Sequence, residues 1–149
     1  MIVVIFFLVF LSFLQGAIAP LNFALIFLIA RSFIVSGKEN FWLALLIGIL
    51  ISLLLGFPIG FLSLIYLMAV FATFIVRKTQ LASHWLAILP LSIVFLLLER
   101  LLVNLFLGQT INYSHLILES LFILPFYFAL RLWEERFVVK KEIRLKIGK

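Results

Sequence analysis

The chain contains no cysteine and no aspartate, and only 12% of its 149 residues are charged. Without thiols, disulfides and thiolate chemistry are excluded. With 66% hydrophobic residues and a mean hydropathy of +1.35, the sequence has too few polar side chains to cover a water-soluble globule. No stretch rich in Gly, Ser or Pro separates two parts. We therefore expect a single domain whose solvent is mostly lipid.

Motifs that carry chemistry are also missing. The sequence has no phosphate-binding glycine loop, no metal-ligand spacing among its His and Glu residues, and no supported Ser-His-acid arrangement. The formal charge of +6 is compatible with nucleic-acid binding, but basic residues are dense only after Trp133. This distribution favours the anionic inner face of a membrane. We predict that the protein is not an enzyme and that it has no catalytic residue, cofactor, metal site or nucleic-acid partner.

The apolar sequence divides into six segments at its polar or Gly/Pro breaks. These predicted membrane helices are 2–19, 21–35, 41–55, 58–76, 85–107 and 115–133. A helix needs about 20 residues to cross a bilayer, so the second and third segments are short. Either these two are little tilted in a thin bilayer, or one of them does not cross.

The first segment has a competing interpretation as a secretory signal, because Ala17-Ile18-Ala19 resembles a small-x-small cleavage site. The segment lacks a basic residue before its apolar core, and Pro20 follows the cleavage position, where peptidases tolerate proline poorly. We therefore interpret it as a retained membrane helix.

Basic residues predict the orientation, because Lys and Arg collect in cytoplasmic loops. If the N-terminus is inside, no outer connection contains a Lys or an Arg, while the inner connections hold Lys38, Arg77 and Lys78. The basic tail, 134–149, is then cytoplasmic, as an amphipathic segment, a short strand or a partly disordered anchor. We expect an all-α polytopic membrane protein with a six-helix domain, 1–133, and both termini cytoplasmic. A re-entrant hairpin of segments three and four is the alternative, since it moves no charge.

Small residues recur at every fourth position of the third segment: Ala44, Gly48, Ser52 and Gly56. Such a stripe lets two helix backbones approach closely, which favours association where lipid provides no hydrophobic driving force. We predict a helix-packing or partner interface there.

Ionisable residues within a membrane helix are costly and indicate function by default. Segment five carries Glu99, Arg100 and Asn104, and segment six carries His115 and Glu119. In the predicted topology Arg100 and Glu119 lie at similar depths on neighbouring antiparallel helices, so we predict an ion pair between them. The cluster has three interpretations: a pair that fixes helix register, a docking surface for a partner's membrane helix, or a solute or proton site.

Two further arginines, Arg31 and Arg131, lie near the predicted inner ends of segments two and six. Long basic side chains at such positions can extend to the interface and keep the charge in water. We expect both to do so, with no further role.

Residues 20 to about 78 resemble the MreD family, the rod shape-determining membrane proteins of bacteria. The resemblance rests on Pro20-Leu-Asn-Phe-Ala-Leu-Ile, the turn at Lys38, and Gly48-Ile-Leu-Ile-Ser-Leu-Leu-Leu-Gly-Phe-Pro-Ile-Gly60. Gly48, Gly56, Pro58 and Gly60 match the family's run, in which Gly56 ends one helix and Pro58 starts the next.

Two positions depart from the family pattern. Ser52 stands where the family's run has an aspartate, and Asn22 lies near a place where an acidic group is common. We therefore do not expect this chain to have any role that requires a carboxylate in this run.

The resemblance implies a non-enzymatic scaffold of the cell-elongation machinery in the bacterial inner membrane. Its implied partners are an MreC-like membrane protein, peptidoglycan synthases and the lipid bilayer. The family's helical arrangement is similar to the substrate-binding subunits of energy-coupling-factor vitamin transporters, and this similarity supplies the alternative function. Such a subunit would be expected to contain a more polar ligand cavity than these short loops provide.

Overall fold

The computed structural model describes residues 2–17, 21–35, 37–79, 85–108 and 114–138, and within these ranges all regular structure is helical. The prediction of an all-α fold is confirmed for these residues. A helix pairs its own backbone N–H and C=O groups, so it suits a chain with lipid as solvent. The helices are α1 (Ile2–Ala17), α2 (Phe23–Ile34), α3 (Glu39–Leu55), α4 (Phe61–Lys78), α5 (Ile88–Leu107) and α6 (Ser114–Trp133).

Three of the described helical stretches are long and apolar enough to cross a membrane: Phe61–Lys78, Ile88–Phe106 and Leu116–Arg136. The other three helices, α1 to α3, have 16, 12 and 17 residues. At 1.5 Å per residue, α2 is only about 18 Å long, whereas a bilayer's hydrocarbon core is about 30 Å thick. Membrane-helix character therefore rests on α4, α5 and α6.

The shortest helix, α2, lies at the centre of the domain. All of its residues except Ile34 are buried, and it contacts each of the other five helices. Residues 23–30 of α2 are apolar on every side of the helix, which suits such a position. Its main neighbour is α6, against which Phe23 packs edge-on: its ring centroid lies 5.6 Å from that of Phe122 and 6.3 Å from that of Phe126.

Helices α3 and α4 form a hairpin whose turn depends on two glycines. Gly56 adopts a left-handed conformation (φ 69°) and ends α3, with the Phe57 N–H bonded to the Ser52 carbonyl at 2.8 Å. Gly60, at φ 91°, precedes α4. The prediction that Pro58 starts the fourth helix is wrong, because the left-handed Gly60 interrupts helical geometry two residues later and α4 begins at Phe61.

Where other predicted boundaries differ from the observed ones, they differ by one to three residues. A short 3₁₀ turn, Trp85–Ala87, precedes α5, and Gly108 ends α5 in a left-handed conformation (φ 65°). After α6 the chain continues as a π-helical turn, Glu134–Val138. The break at Pro20, the loop residues 80–84 and 109–113, and the tail from 139 onward lie outside the described residues.

The C-terminal ends of α2, α4 and α6 meet at one end of the bundle. They line a cavity of about 420 Å³ with Phe33 and Ile34 from α2, Arg77 from α4, and Tyr127 and Arg131 from α6. The three even-numbered helices therefore run in the same direction.

Candidate functional site

Near the other end of the bundle, polar side chains from several elements meet in the apolar interior. We call these six residues the buried polar cluster: Gln15 of α1, Asn22 before α2, Tyr66 of α4, Glu99 and Arg100 of α5, and Glu119 of α6. Glu119 and Tyr66 are completely buried. Buried polar groups at membrane depth are costly unless they satisfy one another.

Asn22 lies immediately before α2 and forms the centre of the cluster. Its Oδ1 accepts hydrogen bonds from Gln15 Nε2 and from the Tyr66 hydroxyl, both at 2.8 Å. Its backbone N–H donates to Glu119 Oε1 at 3.2 Å. The first N–H groups of a helix have no partner within the helix, and Gln15 Oε1 accepts one more of them, from Ala24, at 3.4 Å. The cluster thus caps α2 with side chains from α1 and α6.

The structure forms the predicted ion pair between Arg100 and Glu119, with Arg100 Nη2 2.5 Å from Glu119 Oε1. The Glu119 side chain is fully buried, whereas that of Arg100 is 19% exposed. Because the same carboxylate oxygen also accepts from the Asn22 backbone, the pair joins α5, α6 and the start of α2. This pair is charge-neutral.

Glu99 is the second acid in the cluster, and its residue is only 6% exposed. Its side chain lies beside that of Asn22 and within electrostatic range of Glu119, Arg100 and Tyr66. Its Oε2 atom is buried and has no hydrogen-bond partner among the described residues. Two carboxyl groups therefore face one guanidinium in this part of the structure.

The remaining predicted members of this cluster are placed differently. Asn104 lies on α5 but is exposed. His115 lies in the first turn of α6, and its side chain is outside the part of the chain that the structure describes. The structure therefore brings together Glu99, Arg100 and Glu119 from the predicted set.

The small-residue stripe of α3 faces inward. Ala44 and Ser52 are completely buried, and Gly48 lies so close to α4 that an added Cβ would be 2.3 Å from the Ser63 Cα. Gly56 is exposed and caps the helix. Three of the four residues thus contribute to packing within this chain.

The turn residues Pro58 and Gly60 shape the α3–α4 connection. Pro58 is exposed and accepts a hydrogen bond from the Phe61 N–H at 3.1 Å, and a Cβ at Gly60 would meet nothing within 4 Å. Gly60 is therefore required by its backbone conformation and not by a close contact.

The expectation that Arg31 extends to water is wrong. Its side chain is only 6% exposed, hydrogen-bonds the Asn40 side chain, and lies 3.7 Å from a Glu39 carboxylate oxygen. Partners at the start of α3 thus bind Nη1 and Nη2 of the guanidinium, while its buried Nε has no hydrogen-bond partner among the described residues. Arg131, by contrast, is exposed and pairs with Glu135 at 2.9 Å.

Sequence reasoning missed Gln15 and Tyr66 and gave Asn22 no contact. The available signal was the pair of amide side chains on either side of Pro20, each isolated in apolar sequence. Carboxamides that flank a break between two helices are well placed to satisfy free backbone groups.

A separate apolar groove of about 530 Å³ lies between α1 and α6, with α2 contributing Phe27. Its other lining residues are Val3, Val4 and Phe7 of α1 and Phe122, Pro125, Phe126, Ala129, Leu130 and Trp133 of α6. The groove offers a ligand almost no hydrogen-bonding group.

Comparison with known proteins found no matching family model, no matching curated protein and no matching solved structure. Among the described residues, no group of three His, Cys, Asp or Glu side chains is arranged to hold a metal ion.

Proposed function

We propose that the protein is an MreD-like, non-enzymatic scaffold of the bacterial cytoplasmic membrane that holds partner membrane helices of the cell-elongation machinery. In this proposal it crosses the membrane six times, with both termini in the cytoplasm, and binds an MreC-like protein together with peptidoglycan synthases. The proposal rests on the family resemblance and on the groove between α1 and α6.

The charge distribution supports the proposed topology. Arg77 and Arg131 line one cavity at the end of the bundle where α2, α4 and α6 finish. Lys38, at the start of α3, follows the end of α2. Basic residues on the same end agree with a cytoplasmic location of that end.

The groove is the observation that carries the scaffold proposal. Its α6 wall extends from Phe122 to Trp133, which corresponds to about 16 Å of helix at 1.5 Å per residue. The small side chain of Ala129 within that wall lets another backbone approach closely. We assign the groove to a single membrane helix of an MreC-like partner.

The groove's chemistry disfavours the alternative, a vitamin-binding subunit of an energy-coupling-factor transporter. Small-molecule sites contain a few precisely placed polar groups that orient the ligand. Here the groove is lined by aliphatic and aromatic residues, while the buried polar cluster is used in contacts between helices.

Site-directed cross-linking tests the scaffold directly, since the chain has no native cysteine. We expect Ala129→Cys to cross-link to a cysteine introduced in the membrane helix of a co-expressed MreC-like protein. Met68→Cys, on the exposed face of α4, is the matched control and should give no cross-link. Equal cross-linking at both positions, or at neither, would count against the groove.

Co-purification from membranes separates the two functions. Retention of the MreC-like protein, with loss of rod shape on depletion of the scaffold, is the expected result. Retention of an energy-coupling ATPase module and a vitamin requirement on depletion would favour the transporter instead.

A further inference from the structure

The buried polar cluster contains one negative charge more than its described side chains balance. Two acids, Glu99 and Glu119, share one described guanidinium, that of Arg100, which is paired with Glu119. An isolated ionised carboxylate in an apolar interior is strongly unfavourable. Among the described residues, a proton on one acid or an added cation would remove this excess charge.

Titratable side chains of three helices face Glu99. Helix α4 contributes Tyr66, α6 contributes Glu119, and α5 contributes Arg100, while the amides of Gln15 and Asn22 are neutral. On α3 the only charged residue is Glu39, which pairs with Arg31 at the opposite end of the bundle. Among the described side chains that face Glu99, Arg100 is therefore the one cation, and it binds Glu119. His115, one turn before Glu119 on α6, has a side chain outside the described part of the chain.

The hydrogen bonds distinguish a proton from a metal ion. A metal cation needs several oxygen ligands. Asn22 Oδ1, the neutral oxygen at the centre of the cluster, already accepts two hydrogen bonds, from Gln15 and from Tyr66. The buried Glu99 Oε2, by contrast, has no hydrogen-bond partner among the residues described and can hold a proton directly.

We propose that Glu99 is an intramembrane proton-binding site, whose carboxyl group stays protonated in the folded protein at neutral pH while Glu119 stays ionised against Arg100. The proton removes the repulsion between the two acids and allows α2, α5 and α6 to meet at Asn22. The partly exposed side chain of Arg100 marks the edge of the cluster nearest to the surface. This proposal is independent of the MreD-like role.

Infrared spectroscopy tests the protonation state in the unmodified protein. In lipid nanodiscs at pH 7.5, the wild type should show the carbonyl band of a buried protonated carboxylic acid, which shifts slowly in D₂O. The band should disappear in Glu99→Gln and persist in Glu135→Gln, a matched control at an exposed acid. Absence of the band in the wild type, or its survival in Glu99→Gln, would overturn the proposal.

Stability measured against pH provides a second readout. In this proposal the folded state keeps a proton that the unfolded chain releases. Its stability therefore falls as pH rises, and the unfolding equilibrium constant increases by up to tenfold per pH unit. Between pH 5 and 7.5 we expect this contribution in the wild type and in Glu135→Gln, and a smaller slope in Glu99→Gln. Replacing Na⁺ by choline at constant pH should change nothing. A slope in Glu99→Gln equal to that of the wild type, or a stabilising effect of Na⁺, would contradict the proton assignment.

Discussion

The contact between Gly48 and α4 makes a quantitative prediction for Gly48→Ala. The added Cβ would lie 2.3 Å from the Ser63 Cα, 2.6 Å from its backbone N and 2.7 Å from its Oγ. Because ordinary contacts are 3.4–4 Å, α3 and α4 would have to separate by about 1.1–1.7 Å. Two of the three clashes are with backbone atoms, so a change of rotamer cannot relieve them.

The expected destabilisation follows from three contributions. Overpacking a close contact costs about 1–3 kcal/mol. Separation of the helices also weakens the hydrogen bond from Ser63 Oγ to the Leu45 carbonyl, now 3.1 Å long, at a cost of about 1 kcal/mol. The higher helix propensity of alanine offsets about 1 kcal/mol of this destabilisation. We expect the free energy of unfolding to fall by about 2 kcal/mol.

The assay is reversible unfolding of the purified protein in mixed micelles with increasing SDS, followed by circular dichroism. Gly37→Ala is the matched control, because its Cβ would meet only one atom, the Glu39 N at 3.9 Å, and its φ is not positive. Adding Ser63→Ala to Gly48→Ala should restore little, since the backbone clashes remain. If Gly48→Ala were as stable as Gly37→Ala, the close approach of α3 and α4 would be refuted.

Three further outcomes are expected. Arg100→Leu should lower the free energy of unfolding by about 3–5 kcal/mol, because Glu119 is left charged and buried. The double variant with Glu119→Leu should lose less than the sum of the two single changes. Strict additivity of the two changes would contradict the ion pair. Tyr66→Phe removes one donor to Asn22 Oδ1 and should cost about 1 kcal/mol in the same assay, so unchanged stability would remove Tyr66 from the cluster. Phe57→Cys, in the α3–α4 turn, should react with a membrane-impermeant thiol reagent added outside intact cells, and labelling only after lysis would contradict the proposed topology.

Helix ends were predictable where residue chemistry acts locally. Gly56 and Gly108 follow long apolar runs, and both adopt the left-handed conformation that commonly ends helices. Pro58 also suits a helix start, but its effect depends on Gly60, whose φ of 91° is a property of the folded turn. The observed start of α4, at Phe61, is therefore three residues after the predicted start at Pro58.

The pairing of Arg100 with Glu119 was predictable because the two residues lie at similar depths on helices joined by a short connection. The contact between Asn22 and Glu119 joins residues 97 positions apart, and no local pattern indicates it. The burial of α2 was not predictable either, since an apolar stretch such as residues 23–30 has the same composition whether it faces lipid or protein. The sequence therefore predicted one edge of the cluster but not its centre.

The central position of α2 has a consequence for biosynthesis. Phe23 finds its ring partner Phe122 only after 99 more residues have been made. At about 5–20 residues per second, translation takes roughly 5–20 s to reach that point. During this interval α2 needs another apolar environment, either lipid or the insertion machinery. A ribosome that stalls before α6 would therefore leave the future core of the domain exposed on its nascent chain, where membrane quality-control proteases can recognise it.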